Sequence, residues 1–209
     1  SEAYDYIYFA CGIHPEEVDN LPSDYLDTLR ALSEEKKCVA IGEIGLDYYW
    51  RQDNKELQKK IFTEQILLAK ELNLPIIVHS RNAHEDTLNI LKQYKPTGVL
   101  HCFSGSVETA KEVLKLGMYI GLGGAVTFKN AKKPVEVAEF LPLDRLLLET
   151  DCPYMAPVPM RGKRNDSSYI TFVAEKIGEI KGIDAQTVID TATENTKRLF
   201  GIYSYLTEK

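Results

Sequence analysis

Apolar residues recur along this chain in two alternating rhythms: short unbroken runs, and stripes spaced three or four residues apart. The short runs are bounded by glycine, proline or polar residues and predict buried strands near 5–12, 38–42, 74–79, 98–103, 119–121 and 146–151. The stripes predict helices. Ser23 stands as an N-cap ahead of Tyr25, Leu29 and Leu32 at helical spacing. A helix over about 55–73 carries Leu57, Ile61, Leu68 and Leu72 on one face and lysines and glutamates opposite. Others are expected near 83–94, after Ser106 with Ala110, Val113 and Leu114 inward, and over 134–140. Three segments close the chain: 168–181, stopped by Gly182; 185–191, behind Asp184 as N-cap; and 194–200, ahead of Gly201.

Strands alternating with helices imply a parallel sheet with helical crossovers. No GxGxxG or P-loop follows any strand, and the polar residues with chemistry fall at strand ends. Both features favour a TIM-type (β/α) barrel over a doubly wound sheet. About six strands are legible where a closed barrel has eight, so the expectation is an incomplete barrel forming one domain over 1–209.

A hydrophobic fraction of 44% and a charged fraction of 27% describe an ordinary globular chain. No apolar run approaches the roughly 18 residues that cross a bilayer, and the first residues lack a basic leader region, so no membrane partner and a cytoplasmic location are expected. The net charge of −6 argues against wholesale wrapping of nucleic acid but leaves room for a local basic loop. Cys11, Cys38, Cys102 and Cys152 lie far apart in or beside apolar segments, which reads as four buried free thiols.

The candidate chemistry begins at Val39-Ala40-Ile41-Gly42-Glu43-Ile44-Gly45-Leu46-Asp47, an apolar strand that delivers Glu43 between two glycines. Glycines there let backbones approach closely or take positive φ. His79, His101 and Asp151 end three further predicted strands. In a barrel those ends converge on one face. Two imidazoles and two carboxylates suit a divalent cation such as Mg²⁺, Mn²⁺ or Zn²⁺. Such an ion lowers the pKa of its water from about 15.7 to about 7, and Asp151 is placed to accept that proton.

With these residues in view, the chain resembles the TatD family of metal-dependent deoxyribonucleases, a branch of the amidohydrolase-like barrels. The resemblance rests on Cys11-Gly12-Ile13-His14-Pro15, Gly42-Glu43-Ile44-Gly45-Leu46-Asp47-Tyr48, Val78-His79-Ser80-Arg81 and His101-Cys102-Phe103-Ser104-Gly105. It continues through Glu149-Thr150-Asp151-Cys152-Pro153-Tyr154, Pro157-Val158-Pro159, Arg161-Gly162-Lys163-Arg164-Asn165 and the closing 193–200, and so covers essentially the whole chain. It implies a two-metal hydrolase of DNA phosphodiesters, some members being 3′→5′ exonucleases and some linked to D-aminoacyl-tRNA deacylation. It further implies that Glu43 bridges the metals, that His79 and His101 complete one, and that Asp151 serves the other. The family's His-x-His pair on the first strand is not among His14, His79, His84 and His101. The chain therefore reads as strands three to eight of the family barrel, with one metal set fully specified and Met160 where relatives often carry histidine. The catalytic residues expected are Glu43 and Asp151.

Substrate contacts are expected from Arg81 as a phosphate clamp, from Arg161 and Lys163 on the long loop over 153–168, and from His14 and Tyr154. For His14 a turn-capping role stands beside that reading, and for Tyr154 a core role. Tyr48, Tyr49 and Trp50 either stack bases or pack over the rim. His84 is read as a surface residue, and Lys129, Lys132 and Lys133 as solvent-facing. The alternatives are a weakened barrel fragment that only binds metal or nucleic acid, and a metal-dependent hydrolase of amides or esters.

Overall fold

The structure, a computed structural model, describes residues 1–202. Its six strands follow one another in the sheet in chain order. The described residues pack as two compact units, 1–99 with 198–202, and 100–197.

The first unit holds β1 (Phe9–Cys11), α1 (Tyr25–Ser33), β2 (Cys38–Asp47), α2 (Lys55–Glu71), β3 (Ile76–Arg81), α3 (His84–Tyr94) and the start of β4 (Gly98–Leu100). β2 lies parallel to β1 on one side and to β3 on the other. Its buried Ala40, Ile41, Ile44 and Leu46 share a core with Phe62, Ile66 and Ala69 of α2 and with Ile76, Val78 and Leu91. Each such aliphatic side chain contributes on the order of 1.5–3 kcal/mol by leaving water.

The second unit holds α4 (Val107–Lys115), β5 (Tyr119–Leu122), α5 (Lys132–Phe140), β6 (Leu146–Leu148), α6 (Ile170–Lys181) and most of α7 (Ala185–Phe200). β5 and β6 pair in parallel, Ile120 against Leu146. Ile120, Leu141, Leu146, Val173, Ala174, Ile177 and Val188 are its buried apolar centre. Ser106 caps α4 by accepting from Thr109 N–H, and Gly182 ends α6 in the left-handed conformation.

Several boundaries differ from the sequence expectation, each for a local reason. β1 is shorter than 5–12, because Tyr6 and Ile7 are exposed and cannot anchor a strand. β2 runs on to Asp47 and β3 to Arg81, so Glu43 and His79 stand within strands rather than at their ends. Glu43 falls where the β2–β3 register shifts between Ile41 and Ile44. β4 and β6 stop at Leu100 and Leu148, before the functional residues. The buried face of α2 is Gln58, Ile61, Phe62, Gln65, Ile66, Leu68 and Ala69, rotated from the expected stripe. Two glutamines sit in that face because each satisfies strand or loop backbone that would otherwise be buried unpaired. In α1, Leu29 is buried but Leu32 is exposed, and Asp24, not Ser23, takes the N-cap position, without a side-chain cap bond.

α7 is one helix, not two. Thr191 and Thr196 satisfy their hydroxyls within the helix, on the carbonyls of Thr187 and Ala192, so neither diverts the backbone from it. Asp184 accepts from Thr187 N–H at its start, as expected of a cap. Of the four cysteines, none in a disulfide, Cys11 and Cys38 are buried, Cys102 is half-buried and Cys152 is exposed, on a polar loop with no core to enter. Among the described residues no helix is long and apolar enough to cross a membrane.

Candidate active site

In the first unit the site is built on β2 and β3. Gly45 pairs with His79 across the two strands, and a Cβ on Gly45 would stand 1.9 Å from the His79 carbonyl oxygen. Its φ of +149° also disfavours any other residue. This close approach puts the His79 ring between two carboxylates. Nδ1 lies 2.8 Å from Glu43 Oε1, and Nε2 lies 2.9 Å from Asp47 Oδ2.

Asp47 is fixed in turn. Its side chain is buried, and Oδ1 accepts from the backbone N–H of Tyr49 and Trp50. Gln58 of α2 accepts from Asp47 N–H and donates to its carbonyl. Burial works against the Asp47 charge, but the bonds from His79 and from the two backbone N–H groups outweigh it and hold the carboxyl below its ordinary pKa. For His79 burial again opposes charge, and Glu43 followed by Asp47 raises the ring above its ordinary value. The protonated ring satisfies both carboxylates. When the ring is neutral and Nε2–H donates to Asp47, Nδ1 presents a lone pair toward Glu43, an arrangement suited to a cation.

His14 joins this group. Its Nε2 is 4.0 Å from Glu43 Oε1, and its ring meets His79 edge-on with centroids 4.5 Å apart. The ligand atoms of His14, Glu43 and His79 all lie within 4.8 Å of one another. His14 Nδ1 accepts from Glu16 N–H and so caps the turn at Pro15. With that bond made, the neutral ring carries its proton on Nε2, a donor toward Glu43. Burial, followed by the nearby His79, lowers the His14 pKa and keeps the ring neutral.

The second unit repeats the arrangement. His101 follows β4 directly; its Nδ1 is 2.9 Å from Glu149 Oε2, and its Nε2 is 3.6 Å from Asp151 Oδ1. The other Glu149 oxygen accepts from Cys102 N–H at 2.6 Å. Gly121 of β5 admits this carboxylate, since a Cβ there would stand 2.2 Å from Oε2. The ligand atoms of His101, Cys102 and Asp151 also lie within 4.8 Å of one another. Cys102 and Asp151 both take positive φ, 44° and 55°. Such backbone costs on the order of 1–3 kcal/mol per residue and persists only where its surroundings fix it. Here Glu149 holds Cys102, while buried Asn165 donates to the carbonyls of Thr150 and Tyr154 on either side of Asp151.

The remaining predicted contacts are placed as follows. Arg81, exposed at the end of β3, lays its guanidinium over Tyr49 at 4.0 Å and Trp50 at 5.5 Å. Tyr154 is 73% exposed, so it is no core residue; Asn165 pins its backbone and leaves the ring outside. Arg161 stacks over Phe128 at 4.0 Å, and Lys163 is exposed on the same loop. Tyr48 is buried and donates to Asp86, while Tyr49 and Trp50 are exposed. His84 is half-buried at the start of α3 against Ser80, not a free surface ring. Lys129, Lys132 and Lys133 are exposed.

Asp47, Glu149 and Cys102 had no assigned role in the sequence. The first two carried a signal. Asp47 lies four residues from Glu43 and Glu149 two from Asp151, even separations that suit one face of an extended chain.

The family model described as "TatD related DNase" matches residues 1–201. An uncharacterized metal-dependent hydrolase, YabD of Bacillus subtilis (strain 168), is 50% identical over 204 residues, covering 96% of this chain and 80% of its own. The 3′-5′ ssDNA/RNA exonuclease TatD of Pantoea ananatis is 34% identical over 95% of this chain and 79% of its own. The crystal structure of YJJV, a TatD homologue from Escherichia coli K12, superposes with a TM-score of 0.89 at 35% identity, over 97% of this chain and 80% of that one.

Proposed function

The chain belongs to the family of TatD related DNases, a family of metal-dependent hydrolases, and from that membership we propose that it hydrolyses phosphodiester bonds of DNA. The observation that carries the reading is the doubled relay of carboxylate, imidazole and carboxylate: Asp47–His79–Glu43 and Glu149–His101–Asp151. One carboxylate in each relay orients the ring and the other faces its second nitrogen, a donor set that fits Mg²⁺, Mn²⁺ or Zn²⁺. A divalent cation bound by such donors acidifies a water and offsets charge on the phosphoryl oxygens.

On this reading Glu43 with His79, and His101 with Asp151, are ligands, and Glu43 and Asp151 are the catalytic carboxylates. Asp151 accepts a proton from the attacking water. His14 donates to a phosphate oxygen through Nε2. Arg81, Tyr154, Arg161 and Lys163 meet the rest of the strand. The alternation of parallel strands and helices is built as a TIM-type barrel, and the protein works in the cytoplasm. The exonuclease relative suggests single strands as substrate and cleavage from the 3′ end.

The test is digestion of an end-labelled single-stranded DNA with Mg²⁺, Mn²⁺ or Zn²⁺, beside EDTA and His101→Ala controls. Stepwise cleavage with at least one metal, abolished in both controls, is the expected result. An intact label under every metal overturns it.

A further inference from the structure

Beyond Asp47 the chain makes a turn that presents two large aromatic rings to water: Tyr49 is 52% exposed and Trp50 is 60% exposed. Two adjacent exposed aromatic rings make a contiguous apolar patch, the kind of surface that marks a binding site more often than one exposed residue does. They are also held in place. Asp47 Oδ1 accepts from both their backbone N–H groups, at 2.8 Å and 3.2 Å, and Gln58 grips Asp47 on both sides of its backbone. The rings stand nearly perpendicular with centroids 4.8 Å apart, so a base stacks on one of them at a time. Arg81 lies over Tyr49 at 4.0 Å and reaches Trp50 at 5.5 Å, which brings a positive charge to the edge of the pair. Arg81 is two residues beyond His79 on β3, on the same side of the strand and about 6.6 Å along it.

We infer that Tyr49, Trp50 and Arg81 form a stacking platform for an unpaired nucleobase, with Arg81 holding the adjoining phosphate. The inference rests on the phosphodiesterase reading above and adds what selects the substrate. A flat apolar face with a fixed cation beside it matches a base and its phosphate; a cationic ligand would meet the repulsion of Arg81. A base in a duplex already has both faces stacked, so only a single strand or a frayed end can use the platform. Asp47 holds both the turn that carries the two rings and the His79 ring.

Trp50 is the only tryptophan in the chain, so its fluorescence reports stacking directly. The experiment titrates the full chain in EDTA with an oligothymidylate and with an abasic oligonucleotide of equal length, reading Trp50 emission alongside the anisotropy of a label on the oligonucleotide. Saturable quenching by oligothymidylate and none by the abasic strand is expected. Trp50→Ala should weaken oligothymidylate binding about 5- to 140-fold and bring its preference over the abasic strand close to one, with Trp50→Phe retaining much of that preference. Oligothymidylate that binds by anisotropy without quenching, that does not bind at all, or that keeps its full preference in Trp50→Ala overturns the platform. A wild type that shows the quench yet cleaves DNA under no metal overturns the phosphodiesterase reading and leaves the platform standing.

Discussion

Asp47 is where the chemistry of the site is most sharply decided. Its two oxygens do different work: Oδ1 orders the turn through Tyr49 and Trp50, and Oδ2 holds His79 Nε2 at 2.9 Å. Replacing it with asparagine keeps the volume and one accepting oxygen but puts an NH₂ where the imidazole N–H must be accepted. His79 then has to move its proton to Nδ1, which removes the lone pair facing Glu43. The expected outcome for Asp47→Asn is a folded protein with metal affinity reduced about 10- to 100-fold. Calorimetric titration with Mn²⁺ measures this, and an affinity within twofold of wild type would show that Asp47 does not orient the ring. Residue types and spacing singled out Glu43, His79, His101 and Asp151; the first two stand within β2 and β3, and the other two lie beyond the ends of β4 and β6. The orienting carboxylates were harder to see, because an acid that holds a histidine has no sequence signature apart from even spacing. Tyr154 was unreadable for a related reason: its exposure follows from Asn165 pinning the backbone, a contact 11 residues away in sequence.

The segments joining β2, α2 and α3 are tied by a polar knot at Asp86. Tyr48 donates its hydroxyl to Asp86 at 2.7 Å, and Lys59 pairs with the same carboxylate at 2.9 Å. The hydrogen bond from Lys59, then that from Tyr48, holds the Asp86 carboxyl below its ordinary pKa. A carboxyl lowered on folding adds stability that is present above its unfolded value of about 3.9 and is lost as pH falls through the lower, folded one. Asp86→Asn should therefore lower the urea midpoint at pH 7, with the gap to wild type closing below about pH 4. Parallel urea curves across that range, with the same gap at every pH, would show that the charge of Asp86 is not what matters. The same group of elements shows where periodicity misleads. The stripe over Leu57, Ile61, Leu68 and Leu72 placed α2 correctly as a helix and put Ile61 and Leu68 inside, but Leu57 and Leu72 are only half-buried and two glutamines were missed. Gln58 and Gln65 occupy that face because the turn at Asp47 and the loop at Ile13 need partners for their backbone. Hydropathy counts a glutamine as outward, and only the strand opposite shows why it is inward.

Across the whole molecule, the alternation of parallel strands and crossover helices was legible because buried strands and amphipathic helices have different periods. The division into two compact units was not, because both are written in the same β/α grammar with no linker between them. That division gives the metal reading a test that does not depend on catalysis. A candidate ligand group lies in each unit, Glu43 with His79 in the first and His101 with Asp151 in the second. A ligand that binds only the folded state stabilises it by about 2.7 kcal/mol at a hundred times its Kd. For a chain of this size each 1 kcal/mol moves Tm by roughly 2–4 °C, so a cation bound at one group should raise Tm by about 5–11 °C. Scanning Mg²⁺, Mn²⁺ and Zn²⁺ against EDTA should therefore find at least one cation with a saturable shift. If both groups bind, His79→Ala and His101→Ala each remove part of that shift and the double variant removes all of it. A shift that survives intact in the double variant would move the cation to other residues. No shift with any of the three would leave both relays as hydrogen-bonded structure alone, since a site able to hold a catalytic cation cannot avoid stabilising the fold that builds it.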